Sequence, residues 1–130
     1  KFTCWVDCGT IINKLVVDGQ VYGALAQGIG LALSEDFEDL KKHTTLVKCG
    51  IPQIEDVPDA LDVHYAKPEY SKRPDGPFGA SGVGEGPLAA PHPAILNAIF
   101  NATGARITKV PATPDVVKEA LDELASKAEA

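Results

Sequence analysis

Gln20-Val21-Tyr22-Gly23-Ala24-Leu25-Ala26-Gln27-Gly28-Ile29-Gly30-Leu31-Ala32-Leu33-Ser34-Glu35 carries apolar positions at Val21, Ala24, Leu25, Gly28, Ile29, Ala32 and Leu33. Steps of three and four put these on one face, so the stretch predicts a helix from about Gln20 to Glu35. Gly23, Gly28 and Gly30 lie inside it. Each costs about 1 kcal/mol relative to Ala in an exposed helix, and close packing against a neighbour or ligand is the expected compensation. Upstream, Phe2, Cys4 and Val6 alternate with Thr3, Trp5 and Asp7, the pattern of a strand. The strand starts without any lead-in, which points to a chain cut from something longer. Gly9 to Asn13 reads as a loop.

Downstream, Asp36 to Pro58 reads as a loop with one short strand at His43 to Val47. Leu61 to Ala66 alternates again and predicts a strand ended by Pro68. Lys67 to Ser81 holds three prolines and two glycines and is expected to be irregular. A second helix is predicted from Pro87 or Ala89 to Thr103, with Gly104 as its stop. Ala105 to Val110 predicts a strand. The last helix is marked by Thr113 as N-cap, Pro114 at the first helical position and Asp115 in the first turn. Val117, Ala120, Leu121 and Leu124 form its apolar face. The expected fold class is α+β, with mixed short strands and about three helices, in one unit over residues 1–130.

Composition narrows the function. With 130 residues, 45% hydrophobic and 23% charged, the chain fits one soluble domain. No apolar run approaches the roughly 18 residues of a membrane span, and the first residues do not form a signal peptide. The net charge of -6 opposes nucleic acid and anionic membranes as partners. Cys4, Cys8 and Cys49 are an odd set, which favours a reduced, cytoplasmic compartment. A zinc site from Cys4, Cys8, His43 and Cys49 lacks a second tight ligand pair. Buried thiols packed as small hydrophobes fit better, and no metal ligand is assigned.

Gly79-Ala80-Ser81-Gly82-Val83-Gly84-Glu85-Gly86-Pro87 packs four glycines and one acid into nine residues ahead of a helix. Glycines permit close backbone approach, and free amides leading into a helix form an anion-binding concavity. An ordinary turn with a carboxylate at a helix start accounts equally well for the pattern. The intervals fit neither a dinucleotide fingerprint nor a P-loop. Gln20 and Gln27, about two turns apart on one helix, are placed to hydrogen-bond a polar ring, though exposed glutamines are commonly just solvated. His43, His64 and His92 share no ligand spacing, and Ser81 lacks the elbow of a nucleophilic serine.

Taken together, Asp7-Cys8-Gly9-Thr10 with Asn13, Gly19-Gln20-Val21 with Gly23, Gln27, Gly28 and Gly30, and Gly82-Val83-Gly84-Glu85 with Pro87-Leu88 resemble the xanthine oxidase family of molybdenum hydroxylases. Ala94, Ile95, Asn97, Ala98, Gly104, Arg106, Ile107, Pro111, Thr113 and Pro114 extend the match. It follows the C-terminal part of the molybdenum-binding domain across nearly the whole chain. Asp75 to Glu85 and Ala32 to Phe37 are especially similar to bacterial aldehyde oxidoreductases. Lys14 departs from the proline that many members carry after the asparagine.

The resemblance implies an enzyme oxidising aldehydes to carboxylic acids with water as the oxygen source. It makes Glu85 the catalytic base acting on the molybdenum-bound hydroxide or water. It assigns Gln20 to the pterin, Gln27 more weakly, and Ser81, Gly82, Val83 and Gly84 to the cofactor wall. The implied cofactor is molybdopterin with molybdenum, as the cytosine dinucleotide. The [2Fe-2S] clusters, and FAD where the family carries it, would lie in other domains or subunits, because the clustered cysteines they need are missing here. The implied partners are the remainder of the molybdenum domain, the iron-sulfur domains and a small aldehyde, in a dimeric full enzyme. On this reading the 130 residues are a fragment of a larger molybdopterin-binding domain and are inactive alone. The competing reading is a non-catalytic anion-binding or protein-interaction module using the Gly79 to Gly86 loop.

Overall fold

In the computed structural model, residues 1–67, 69 and 75–128 are described. Strand β1 (Phe2–Val6) and strand β2 (Leu61–Tyr65) pair in parallel, from Phe2 opposite Leu61 to Val6 opposite Tyr65. Between them runs helix α1 (Lys14–Leu33), followed later by α2 (Pro91–Thr103) and α3 (Pro114–Ala128). This is the expected α+β architecture. The core forms where α1 crosses the sheet: Val21 and Leu25 are fully buried against Cys4, and Phe2, Val6, Val17, Val63, Tyr65 and Val83 pack around them. Alternation in each strand supplies one side of this core and the periodicity of α1 the other.

Helix α1 starts at Lys14, well before the expected Gln20. Its N-cap is Asn13, whose side-chain oxygen accepts from the Val16 amide at 3.3 Å. Leu15 and Val16 are 82% and 57% exposed, so in the opening turn Val17 alone packs on the core and the apolar periodicity is diluted by its outward-facing neighbours. The glycines inside α1 differ. A methyl at Gly28 would lie 2.7 Å from Pro91 Cβ and Cγ, and one at Gly30 would meet Glu35 and Pro52, whereas at Gly23 it would meet nothing within 4 Å. Close packing therefore explains Gly28 and Gly30 but not Gly23.

Two expected strands are not formed. His43 to Val47 folds as turns, with the His43 amide donating to the Asp39 carbonyl at 2.8 Å and the Cys49 amide to Thr45 at 2.9 Å. Ala105 and Ile107 are buried and alternate as a strand should, but among the described residues the segment to Val110 joins no sheet. Instead the Ala112 amide donates to the Ala32 carbonyl at the end of α1, at 2.7 Å. The second helix is also delayed: a 3₁₀ turn, Gly86–Ala89, precedes α2, which starts at Pro91 and ends on left-handed Gly104 as expected. In α3 the Thr113 hydroxyl accepts from the Val116 amide at 3.5 Å. Pro68, the expected end of β2, lies outside the described residues, as do residues 70–74 of the irregular Lys67 to Ser81 stretch. No helix among the described residues is long and apolar enough to cross a membrane.

Candidate functional site

Where β1 ends, the chain turns sharply. Asp7 Oδ1 accepts from the Gly9 amide at 3.2 Å, and Gly9 takes a left-handed φ of 67°. Gly9 then bridges Ala80 in antiparallel fashion. The Thr10 amide donates to the Gly79 carbonyl at 3.0 Å and the Ser81 amide to the Cys8 carbonyl at 2.9 Å. A short backbone strap thus fastens the Asp7 to Thr10 turn to the start of the glycine-rich loop.

Beyond the strap, Val83 packs against the core cluster of Cys4, Val21 and Leu25. The Gly86 amide then donates to Val83 at 2.9 Å and the Leu88 amide to Glu85 at 3.0 Å, closing the 3₁₀ turn. Pro87 is buried, and the turn rests on α1. Glu85 sits at the head of this turn with its side chain exposed. An α-helix dipole was expected to bear on Glu85. Because α2 begins only at Pro91, a four-residue 3₁₀ turn stands in its place and that stabilisation falls away.

A pocket of about 250 Å³ lies between the end of β1, Cys4 to Cys8, and Gly82, Val83, Gly86 and Pro87 of the loop. A methyl added at Gly82, Gly84 or Gly86 would meet no atom within 4 Å. The loop therefore shows bare backbone on its open side, with Val83 turned to the core and Glu85 the one acid. Such a surface accommodates a bulky group at van der Waals distance and fits a large cofactor.

Ser81, Gly82, Val83, Gly84 and Glu85 are thus brought together on one loop. Gln20 and Gln27 are exposed on α1 and do not line this pocket. The cysteines are all free and buried, and burial pushes the Cys4 thiol above its ordinary pKa, which suits packing rather than reactivity. No cluster able to hold a metal ion occurs among the described residues. His64 stacks on Trp5 with ring centroids 4.6 Å apart, and His43 Nδ1 accepts from the Asp39 amide at 3.3 Å. Sequence reasoning missed the strap. The available signal was Asp7 two residues before Gly9, the pattern of an Asx turn.

Fold and site define a glycine-rich loop strapped to the end of β1 beside a pocket, with exposed Asp7 in the pocket wall and exposed Glu85 on the loop. A family model described as molybdopterin cofactor-binding domain matches residues 1–58. Aldehyde oxidoreductase of Megalodesulfovibrio gigas is 61% identical over 119 residues, 92% of this chain and 13% of that protein. The gamma subunit of the 6-hydroxypseudooxynicotine dehydrogenase complex of Paenarthrobacter nicotinovorans is 37% identical, over 90% of this chain and 15% of its own length. Among solved structures, the aldehyde oxidoreductase of Desulfovibrio gigas superposes with a TM-score of 0.87 at 61% identity, covering 92% of this chain and 13% of that one. That of Desulfovibrio desulfuricans gives 0.86 at 60% identity, over 91% and 13% respectively. The chain belongs to the xanthine oxidase family of molybdenum hydroxylases, within the molybdopterin-binding part, and spans about an eighth to a seventh of these relatives.

Proposed function

We propose that this chain is the C-terminal segment of the molybdenum domain of an aldehyde oxidoreductase, and that it supplies the catalytic base. The observation that carries this is Glu85 itself: the one acid on a bare glycine loop, exposed and next in sequence to Gly86, which lines the pocket beside β1. When bound, molybdenum-molybdopterin supplies the two-electron redox chemistry and the Lewis acidity that water needs to become a nucleophile. The Glu85 carboxylate accepts the proton that water gives up, a role for which an exposed, unhindered oxygen is suited. Gly82, Gly84 and Gly86 admit the cofactor to backbone contact, Ser81 fixes the loop through the hydrogen bond its amide donates to the Cys8 carbonyl, and Val83 anchors it in the core. Gln20 and Gln27 offer amide groups to the pterin from α1.

Further parts of the proposal rest on the family. The pterin is taken in its cytosine dinucleotide form, and electrons leave through [2Fe-2S] domains in other parts of the enzyme. Relatives described as large or gamma subunits of larger enzymes support such an assembly. The substrate is a small aldehyde. The test is Glu85→Gln in the assembled, molybdenum-loaded enzyme. Loss of a general base lowers kcat by about 100-fold to 10,000-fold, at unchanged molybdenum content. A rate near that of the parent enzyme would remove the catalytic role.

A further inference from the structure

We propose that Gly9 is a positioning residue for Glu85, acting through the backbone strap, an inference that rests on reading Glu85 as the base. Between the strap and the 3₁₀ turn, the loop bearing Glu85 has few side-chain contacts. Gly82, Gly84 and Gly86 have open space where a side chain would be, and between Ser81 and Glu85 only Val83 reaches the core. Its entry is fixed by residues 8–10, through the bond from Thr10 to Gly79 and the bond from Ser81 to Cys8. At the centre of that contact stands Gly9, whose missing side chain matters twice. Its left-handed φ of 67° suits glycine, and a methyl there would overlap the Gly79 carbonyl oxygen. On another side of the loop a methyl at Gly76 would overlap the Ala80 carbonyl oxygen. Residues 79 and 80 are therefore clamped between two glycines, six and five positions upstream of the acid they aim.

The clamp fits a residue whose task depends on distance. A shift of 1 Å in a group held for reaction costs about 100-fold in rate. With the far end of the loop held by the Gly86 amide's bond to Val83 and the Leu88 amide's bond to Glu85, the course of the chain between follows from where its entry is fastened at residues 79–81. Exit from the loop is fixed independently, since Pro87 is buried and the turn rests on α1. Gly9 accordingly sets where the carboxylate stands, not whether the loop is attached.

The experiment uses Gly9→Ala in the assembled, cofactor-loaded enzyme, with rates expressed per molybdenum atom. The expected result is a kcat lowered about 100-fold with KM for aldehyde nearly unchanged. The acid limb of the kcat-pH profile should also move, which a simple loss of active molecules would not produce. Parent-like kcat and profile, or a loss that merely follows molybdenum content, would overturn the proposal. Should Gly9→Ala fail to accumulate, Gly76→Ala displaces the same segment through Ala80 and must give the same pattern. Glu85→Gln run alongside separates the two claims. If it is inactive while Gly9→Ala is normal, only the positioning role fails. If Glu85→Gln is itself active, the base reading falls and this inference with it.

Discussion

Gly28 in α1 and Pro91 at the start of α2 are packed so closely that a single methyl on the glycine would lie 2.7 Å from two carbons of the proline ring. This contact brings the two helices together below the turn that carries Glu85. It also explains why a helix tolerates glycine there.

The first prediction compares glycines of one helix. Gly28→Ala must push α2 away and should destabilise the chain by about 1–3 kcal/mol. Gly23→Ala enters open space and should stabilise by up to about 1 kcal/mol through helix propensity. Denaturant unfolding of both variants checks this, and effects of the same sign would contradict the packing argument.

A second prediction concerns the core that seats the loop. Leu25 is fully buried in the cluster that receives Val83. Leu25→Ala should cost about 2–5 kcal/mol. Leu124 on α3 is 42% exposed, and its replacement by Ala should cost far less. Equal losses at the two sites would show that Leu25 does not stand at the centre of the fold.

The legible parts of this fold are those with local causes. The middle of α1 was readable because Val21, Leu25 and Ile29 are buried at helical spacing. Its first turn was not, since Leu15 and Val16 face outward beside the core-packed Val17 and blur the periodicity that the Asn13 cap begins. Ala105 and Ile107 carry a true alternation, yet alternation reports burial on one side and not the presence of a pairing strand. The glycine loop announced itself through composition. The strap from Gly9 to Ala80 did not, because pairing between distant residues leaves no periodic trace in either segment.

Glu35 gives a third prediction. Its amide donates to the Gly30 carbonyl at 2.8 Å, and burial holds its carboxyl above the ordinary pKa. A carboxyl raised in the folded state favours folding while protonated. Stability is therefore lost as pH rises from the unfolded value of about 4.3 through the higher folded one. Glu35→Gln should be as stable as the parent in acid and more stable at neutral pH. Thermal unfolding across that range checks it, and a variant weaker at neutral pH would refute it.

The last prediction concerns Tyr65, which ties β2 to α1. Its hydroxyl donates to Asp18 Oδ1 at 2.6 Å, and Lys14 Nζ bonds both oxygens of the same carboxylate at 2.8 and 2.6 Å. Lys14 first, then Tyr65, holds the Asp18 carboxyl below the usual range, while burial and the bond to Asp18 push the Tyr65 phenol well above its own. The two signs define a window. A lowered carboxyl contributes stability above the unfolded pKa of about 3.9 and loses it as pH falls through the folded value. A raised phenol contributes while protonated and loses its share as pH rises past the unfolded value of about 10. The gap in unfolding midpoint between the parent chain and Tyr65→Phe should therefore be widest between these limits and narrow at both ends. Lys14→Gln should leave the alkaline arm largely in place, because the phenol owes its shift mainly to burial and Asp18. A gap that stays constant from acid to alkali would mean that the Tyr65 hydroxyl does not act through the ionisation of Asp18 or its own.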